Sequence, residues 1–279
     1  MIQPAFLKRL AVDVPLLNAN HLAFMLTKEH GPNDLQLAEH PAFKKYRAEL
    51  APQMERMKGG IAILPIQGAL AYNPDPWEMI FDGVEDSRAV VKMLNEAADD
   101  DGIEGALLRM DTPGGMLLGG PEMADAVSRM KAKKPVVAHV GGMGASLGYM
   151  IASQANEIVA NRSAIVGSIG VIASITDYTA LLEKLGIKFE YFTNKEAKFK
   201  AAGAIGTTLS DDQRTQTQAS IDGAFQLFKG MVLSARPHVP ESAMQGQTFR
   251  GGEAKAQGLV DCIGDESFAL SVLKSLMKK

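Results

Sequence analysis

The sequence predicts an α/β protein, a sheet of short apolar strands with amphipathic helices between them. Three observations point there. From Gly59 onward, β-rich apolar runs alternate with segments of helical period. Glycine turns stand at the ends of two of those runs. With 46% hydrophobic and 22% charged residues, the 279-residue chain has enough apolar material for a sizeable core.

The first 58 residues read differently. MIQPAFLKRLAVDVPLLNANHLAFML is amphipathic and broken by Pro15. It has neither a long apolar core nor a small-residue cleavage site, so it is read as neither signal peptide nor membrane span. HPAFKKYRAELAPQMERMK continues it as a charged helical lead-in. Residues 1–58 are thus expected to form an N-terminal helical arm and residues 59–279 a globular α/β domain, with no membrane anchor and a cytoplasmic location.

The domain then unfolds in order. GGIAILPIQGAL is a β-rich run bounded by glycine, and VEDSRAVVKMLNEAADDDGIEGALLRMDTPGG reads as helix, turn, strand and glycine turn. GPEMADAVSRMKAKK is a second helix, PVVAHVGG a second buried strand and ASLGYMIASQAN a third helix. EIVANRSAIVGSIGVIAS supplies a strand pair, TDYTALLEKLG a helix and IKFEYFTN a further strand. In such sheets, ligands gather at the carboxyl ends of the strands.

Charge and cysteine content narrow the function classes. A formal net charge of -3 gives no electrostatic reason to expect a nucleic-acid partner. The single cysteine, Cys262, excludes an internal disulfide and a cysteine metal site.

The chemistry-bearing stretch is GGMGASLGYMIA, in which Gly144 to Gly148 match the G-x-S-x-G elbow that exposes a nucleophilic serine on a strand-to-helix turn. Ser146 needs a base, because a serine hydroxyl is a poor nucleophile at neutral pH. Only His238, in ARPHVPES, lies downstream of it. His139 sits inside an apolar strand, and His21, His30 and His40 lie in the arm. A lysine is the alternative, since burial or a neighbouring cation keeps an amine neutral. TNKEAKFKAAGAIG offers Lys195, Lys198 and Lys200. At DTPGG, Pro113 sets a tight turn, and the bare backbone N–H groups of Gly114 and Gly115 suit an oxyanion hole.

Taken together, MDTPGGM, GMGASLGYMIAS, VGSIGVIAS, a K-x-x-G element, LSDDQR and FRGGEAKAQGLVDCIG occur in the order that resembles the signal peptide peptidase A family of serine peptidases. The chain is most similar to the phage branch of that family, the lambda-type capsid assembly (prohead) proteases. The resemblance runs from about Gly59 to the C-terminus. It implies a ClpP/crotonase-like fold of repeated ββα units and a Ser-Lys dyad that needs neither cofactor nor metal.

Residue by residue, the resemblance makes Ser146 the nucleophile and places the oxyanion hole at Gly114 and Gly115, with the N–H of Leu147 as second donor. Ser168, in VGSIGV, becomes a supporting hydroxyl that orients the lysine. The base is Lys200, with Lys198 the alternative: counting back from LSDDQR and Gly203 favours Lys200, and counting forward from Gly186 favours Lys198. Lys200 also leads into the apolar Ala201-Ala202-Gly203, whereas Lys198 lies closer to Glu196. Gly258, Leu259 and Asp261 are expected to shape a turn and strand.

The implied partners are polypeptides, either scaffold and capsid proteins or signal peptides, and the expected assembly is a homo-oligomeric ring whose sites can draw on neighbouring subunits. The phage reading places the protein in the host cytoplasm or inside a procapsid. Phage members of that family often continue into a scaffolding segment, so a scaffold encoded separately or lying beyond this sequence is expected. A soluble signal-peptide-peptidase-like bacterial protease is the alternative. A Ser-His-Asp esterase using His238 and a non-peptidase crotonase-like protein are readings from other classes.

Overall fold

The structure is a computed structural model that describes residues 51–74, 78, 79 and 82–278. The N-terminal arm up to residue 50 lies outside the described residues. The chain runs β1 (Glu55–Met57), β2 (Ile61–Ala71), β3 (Glu85–Asp86), α1 (Ser87–Asp99), β4 (Gly105–Gly115), α2 (Gly120–Lys131), β5 (Val136–Ala145) and α3 (Leu147–Ala152). It continues through β6 (Glu157–Ala160), β7 (Ile165–Gly167), α4 (Thr179–Lys184), α5 (Asp211–Ala235), β8 (Thr248–Arg250), α6 (Gly251–Ala256), β9 (Cys262–Ile263) and α7 (Glu266–Leu276).

Among the described residues, the strands form one nine-stranded mixed sheet whose main path is β1-β2-β4-β5-β6-β9, with β3 beside β2 and with β7 and β8 off that path. The central pairs β2·β4, β4·β5, β5·β6 and β6·β9 are parallel, whereas β1 runs antiparallel to β2. Strand β5 changes partner along its length. Its first half pairs β6, and Met143 to Ala145 pair β7, which in turn pairs β8 antiparallel.

Alternation along the strands explains why both faces are covered. Ala62, Leu64 and Ile66 enter one apolar core together with Ala106, Leu108, Met110, Val136, Ala138 and Val140. Their neighbours Ile61, Ile63, Leu107 and Val137 point the opposite way, into a smaller core with Ala269 and Leu273 of α7. Because successive side chains of a strand face opposite sides, near-continuous apolar runs such as IAIL and VVAHV are what a doubly covered parallel sheet requires.

Helix ends follow local chemistry. Asp86 caps α1 by accepting from the Arg88 N–H, and Asp265 caps α7 by accepting from the Phe268 N–H. In LSDDQR, Ser210 and Gln213 form a reciprocal capping box that starts the 25-residue α5.

Three expectations change. Glu55–Met57, read as part of a helical lead-in, is instead an antiparallel strand on β2. DTPGG is not a turn beyond the strand, because β4 runs through to Gly115. IKFEYF, read as a strand, has no ladder partner among the described residues, and its Phe192 stands 93% exposed. An apolar β-prone run becomes a strand only where a neighbour offers a free edge.

The C-terminal closure is tied to the sheet by charge. Arg236, which is buried, donates from Nη1 and Nη2 to the two carboxylate oxygens of Asp261 at 3.1 and 2.6 Å. Asp261 Oδ2 also accepts from the Ile158 N–H at 2.7 Å. Burial raises the Asp261 carboxyl's pKa, but the hydrogen bonds and charge of Arg236 outweigh that and hold it below the usual carboxylate range. A depressed carboxyl stabilises the fold above its unfolded pKa, and that contribution is lost as pH falls through its folded pKa. Asp261→Asn should therefore cost about 3 kcal/mol at pH 7, since it strands a buried guanidinium. In urea denaturation, the gap between wild type and variant should narrow as pH falls out of the ordinary carboxylate range, where the unfolded chain takes up the proton first, and close only below the depressed folded-state pKa of Asp261. An equal gap at pH 3 and pH 7 would contradict this account.

Candidate active site

Ser146 stands between the last residue of β5 and the first residue of α3, with φ 52° and ψ -123°. A left-handed backbone is uncommon for a residue other than glycine and costs about 1–3 kcal/mol, so the surroundings must hold it. They do so through both peptide groups. The Ser146 N–H donates to the Gly167 carbonyl at 2.8 Å, and its own carbonyl accepts from Tyr149 and Met150 at 2.9 and 3.0 Å. Helix α3 is anchored in turn by the buried Tyr149 hydroxyl, which donates to the Leu259 carbonyl at 2.9 Å.

The next strand end repeats the geometry. Ala145 pairs Gly167, so Ser168 follows β7 as Ser146 follows β5, and Ser168 also has a left-handed φ of 51°. Its N–H donates to the Gln247 carbonyl at 2.7 Å. The two serines therefore sit at neighbouring strand ends on the carboxyl side of the sheet.

On the other flank lies the end of β4. Gly114 has φ +98°, and a Cβ there would stand 2.8 Å from the Ser146 Cβ, the Leu147 nitrogen and the Ala145 carbonyl oxygen. Only a glycine backbone fits this close against the serine. A Cβ on Gly115 would fall 1.9 Å from the Leu70 carbonyl oxygen, so this position too excludes a side chain. The N–H of Gly114 is already used: it donates to the Thr112 hydroxyl at 3.0 Å. Leu147 opens α3, where a helix leaves its first N–H groups without intrahelical partners.

A cleft of about 170 Å³ runs past Ser146, bordered by Gly115, Met116, Leu147, Met150, Val171 and Ile172, with Phe228 also in its wall. Its side chains are apolar apart from the serine. Among the described residues, no lysine borders it. Lys198 is exposed and forms an ion pair with Asp212 at 2.7 Å, rather than with Glu196, which instead accepts from the Asn194 amide. Lys200 is also exposed. Its neighbour Phe199 is 40% exposed, so the apolar residues beside Lys200 in the sequence do not bury it in the single chain. Sequence reasoning did not single out Thr112, whose signal was present as the hydroxyl residue directly before Pro113.

The two described histidines stand elsewhere. The exposed His238 contacts the Gly258 carbonyl through Nε2 at 3.1 Å. His139 is buried with Nε2 3.3 Å from the Asn161 side-chain oxygen.

Comparison with known proteins places the chain in a family. The description of Peptidase family S49 matches residues 128–279, more than half of the chain, and the chain belongs to that family. Among the relatives, a protein of Methanocaldococcus jannaschii is 33% identical over 195 residues, covering 69% of this chain and 62% of its own. Capsid assembly protease C of Escherichia phage lambda is 30% identical over 224 residues, covering 80% of this chain and 50% of its own. Protease 4 of Salmonella typhi is 32% identical over 189 residues, covering 66% and 30%. The chain thus spans between about a third and two thirds of the length of these relatives. Among solved structures, an enoyl-CoA hydratase from Thermoplasma volcanium covers 84% of this chain and 80% of its own at 16% identity, with a TM-score of 0.46. Among the described residues, no helix is long and apolar enough to cross a membrane.

The close packing at Gly114 makes a stability contrast. Gly114→Ala adds a methyl against three backbone and Cβ atoms in a left-handed conformation and should cost about 3 kcal/mol. Gly223→Ala in α5, where an added Cβ meets nothing within 4 Å, should stabilise by about 1 kcal/mol. Thermal denaturation of both variants checks the pair, and a Gly114→Ala protein as stable as wild type would contradict the described approach.

Proposed function

We propose that this chain is a serine endopeptidase in which Ser146 attacks the peptide carbonyl. The observation that carries the reading is the left-handed Ser146, held at the carboxyl end of a central strand against the bare backbone of Gly114 and beside an apolar cleft, in a chain of a peptidase family. The oxyanion falls to the N–H groups of Gly115 and Leu147, with Gly114 supplying the close backbone approach. Ser168, at the neighbouring strand end, is the supporting hydroxyl.

The base is a lysine, which takes the proton from the Ser146 hydroxyl as the serine oxygen bonds to the carbonyl carbon. The protonated lysine then returns the proton to the departing amine, and water resolves the acyl-enzyme by the same route. Lys200 is preferred over Lys198, because Asp212 occupies the Lys198 amine. Since neither lysine borders the Ser146 cleft of its own chain, the dyad is completed between subunits of a homo-oligomer. Exposed apolar side chains in the intervening segment, Ile172 at 89% and Phe192 at 93%, support such a contact.

The substrate is a polypeptide that presents small or apolar side chains to the cleft. Relation to the phage lambda capsid assembly protease over 80% of this chain supports a role in capsid maturation, with scaffold and head proteins as substrates and the host cytoplasm or procapsid as the place of action. Similarity to the Enterococcus faecium protein named "Putative signal peptide peptidase SppA", 30% identical over 189 residues, supports the other reading, digestion of signal peptides by a bacterial enzyme. Portal and major capsid genes beside the coding sequence would favour the first, and their absence the second.

Fluorophosphonate labelling of the full chain tests the chemistry. Wild type should be labelled and Ser146→Ala should not. Lys200→Ala should label at least about 100-fold more slowly, and Lys198→Ala within about tenfold of wild type. Full activity in both lysine variants would remove the dyad. Loss of labelling in His238→Ala would instead support an esterase triad.

A further inference from the structure

Pro113 interrupts a central strand, where proline cannot donate to the ladder and is tolerated only at a bulge. The ladder shows that bulge. Strands β2 and β4 keep register from Ile61↔Gly105 to Gln67↔Asp111 and resume at Ala69↔Gly114, so Thr112 and Pro113 together face Gly68. On the other side, β4 and β5 keep register to Met110↔Val140 and resume at Thr112↔Gly144, so Gly141 to Met143 face Asp111 alone. Thr112 therefore stands where both neighbouring ladders fall out of step.

Its side chain closes the gap. The fully buried Thr112 hydroxyl donates to the Gly68 carbonyl at 2.5 Å and accepts from the Gly114 N–H at 3.0 Å. Its methyl group lies against α3, where a Cβ on Gly148 would be 2.6 Å from Thr112 Cγ2. One side chain thus joins β2, the end of β4 and the first turn of the helix that follows Ser146.

We propose that Thr112 is a positioning residue for the reaction. By capturing the Gly114 N–H it fixes the left-handed turn at Gly114 and leaves Gly115, which shares the cleft with Ser146, to donate to the oxyanion. This rests on the reading of Ser146 as nucleophile. Without the hydroxyl, the half-buried Gly68 carbonyl and the buried Gly114 N–H both lose the partner it supplies. The Gly114 peptide then rotates to find a new one, carrying the Gly115 donor with it.

The experiment compares Thr112→Val, which keeps the shape and loses the hydroxyl, with Thr112→Ser, which keeps the hydroxyl and loses the methyl. Both are assayed as full chains by fluorophosphonate labelling over a range of probe concentrations, with the folded fraction measured by thermal denaturation. Thr112→Val should show a labelling rate per folded molecule about 10- to 100-fold lower, with the half-saturating probe concentration within about threefold of wild type. Thr112→Ser should stay near the wild-type rate. If Thr112→Val does not fold, Thr112→Cys, a weaker donor and acceptor, takes its place and should fall between wild type and tenfold down. The proposal is overturned if the hydroxyl-deleted protein labels at the wild-type rate once corrected for folding, or if Thr112→Ser loses as much rate as Thr112→Val. No labelling of wild type would overturn the nucleophile reading, and this proposal with it.

Discussion

A proline near the carboxyl end of the central strand β4 leaves a carbonyl on its neighbour without a ladder donor, and the surroundings of Ser146 follow from how that gap is filled. Pro113 forces β4 to bulge against Gly68, and the Thr112 hydroxyl replaces the missing ladder bond. The same bulge turns Gly114 left-handed and presses its backbone to within van der Waals reach of Ser146. On the far flank, the Asp111 carboxylate accepts from the Met143 N–H and the Asn161 amide donates to the Gly141 carbonyl, so the mismatch between β4 and β5 is also satisfied. Irregular backbone at the centre of a sheet is stable only with such substitutes, and here they converge on the strand ends where chemistry is placed.

The left-handed Ser146 depends on a second set of contacts that reach far along the chain. Gly167 accepts its N–H, Gln247 accepts that of Ser168, and Leu259 accepts the Tyr149 hydroxyl that fixes α3. Asp261 joins this C-terminal segment to Arg236 and to β6. A segment with no chemistry of its own therefore maintains the strained serine. This is why FRGGEAKAQGLVDCIG accompanies the glycine motifs: the strain at one strand end is balanced by hydrogen bonds from residues about a hundred positions later.

The lysine-bearing segment contrasts with this frame. Residues around Lys198 and Lys200 carry no ladder bonds, and the aromatic side chains near them are exposed. With Ile172 and Phe192 in water while Ser146 is held in place, the proposed site has a fixed half at the serine and a half at the lysines that a second subunit would cover. Apolar burial by a second subunit would supply the desolvation that an amine needs to act as a base.

Much of this was legible in the sequence. Runs such as IAIL, ALLRM and VVAHV have the near-continuous apolar character of strands covered on both faces, and α1, α2, α5 and α7 carry their period or caps locally. Ser146 was legible because the glycines around it meet local steric demands: Gly148 makes room for Thr112, and Gly144 for Val140. What the sequence determined by itself was the set of elements and the small residues their turns need, since propensity, capping and close approach act over a few positions. Only the tertiary structure decided that IKFEYF has no strand partner, that Gly114 gives its N–H to Thr112, and that both lysines stand apart from the serine in one chain. Each of those depends on what a distant segment places alongside, and no local preference encodes that.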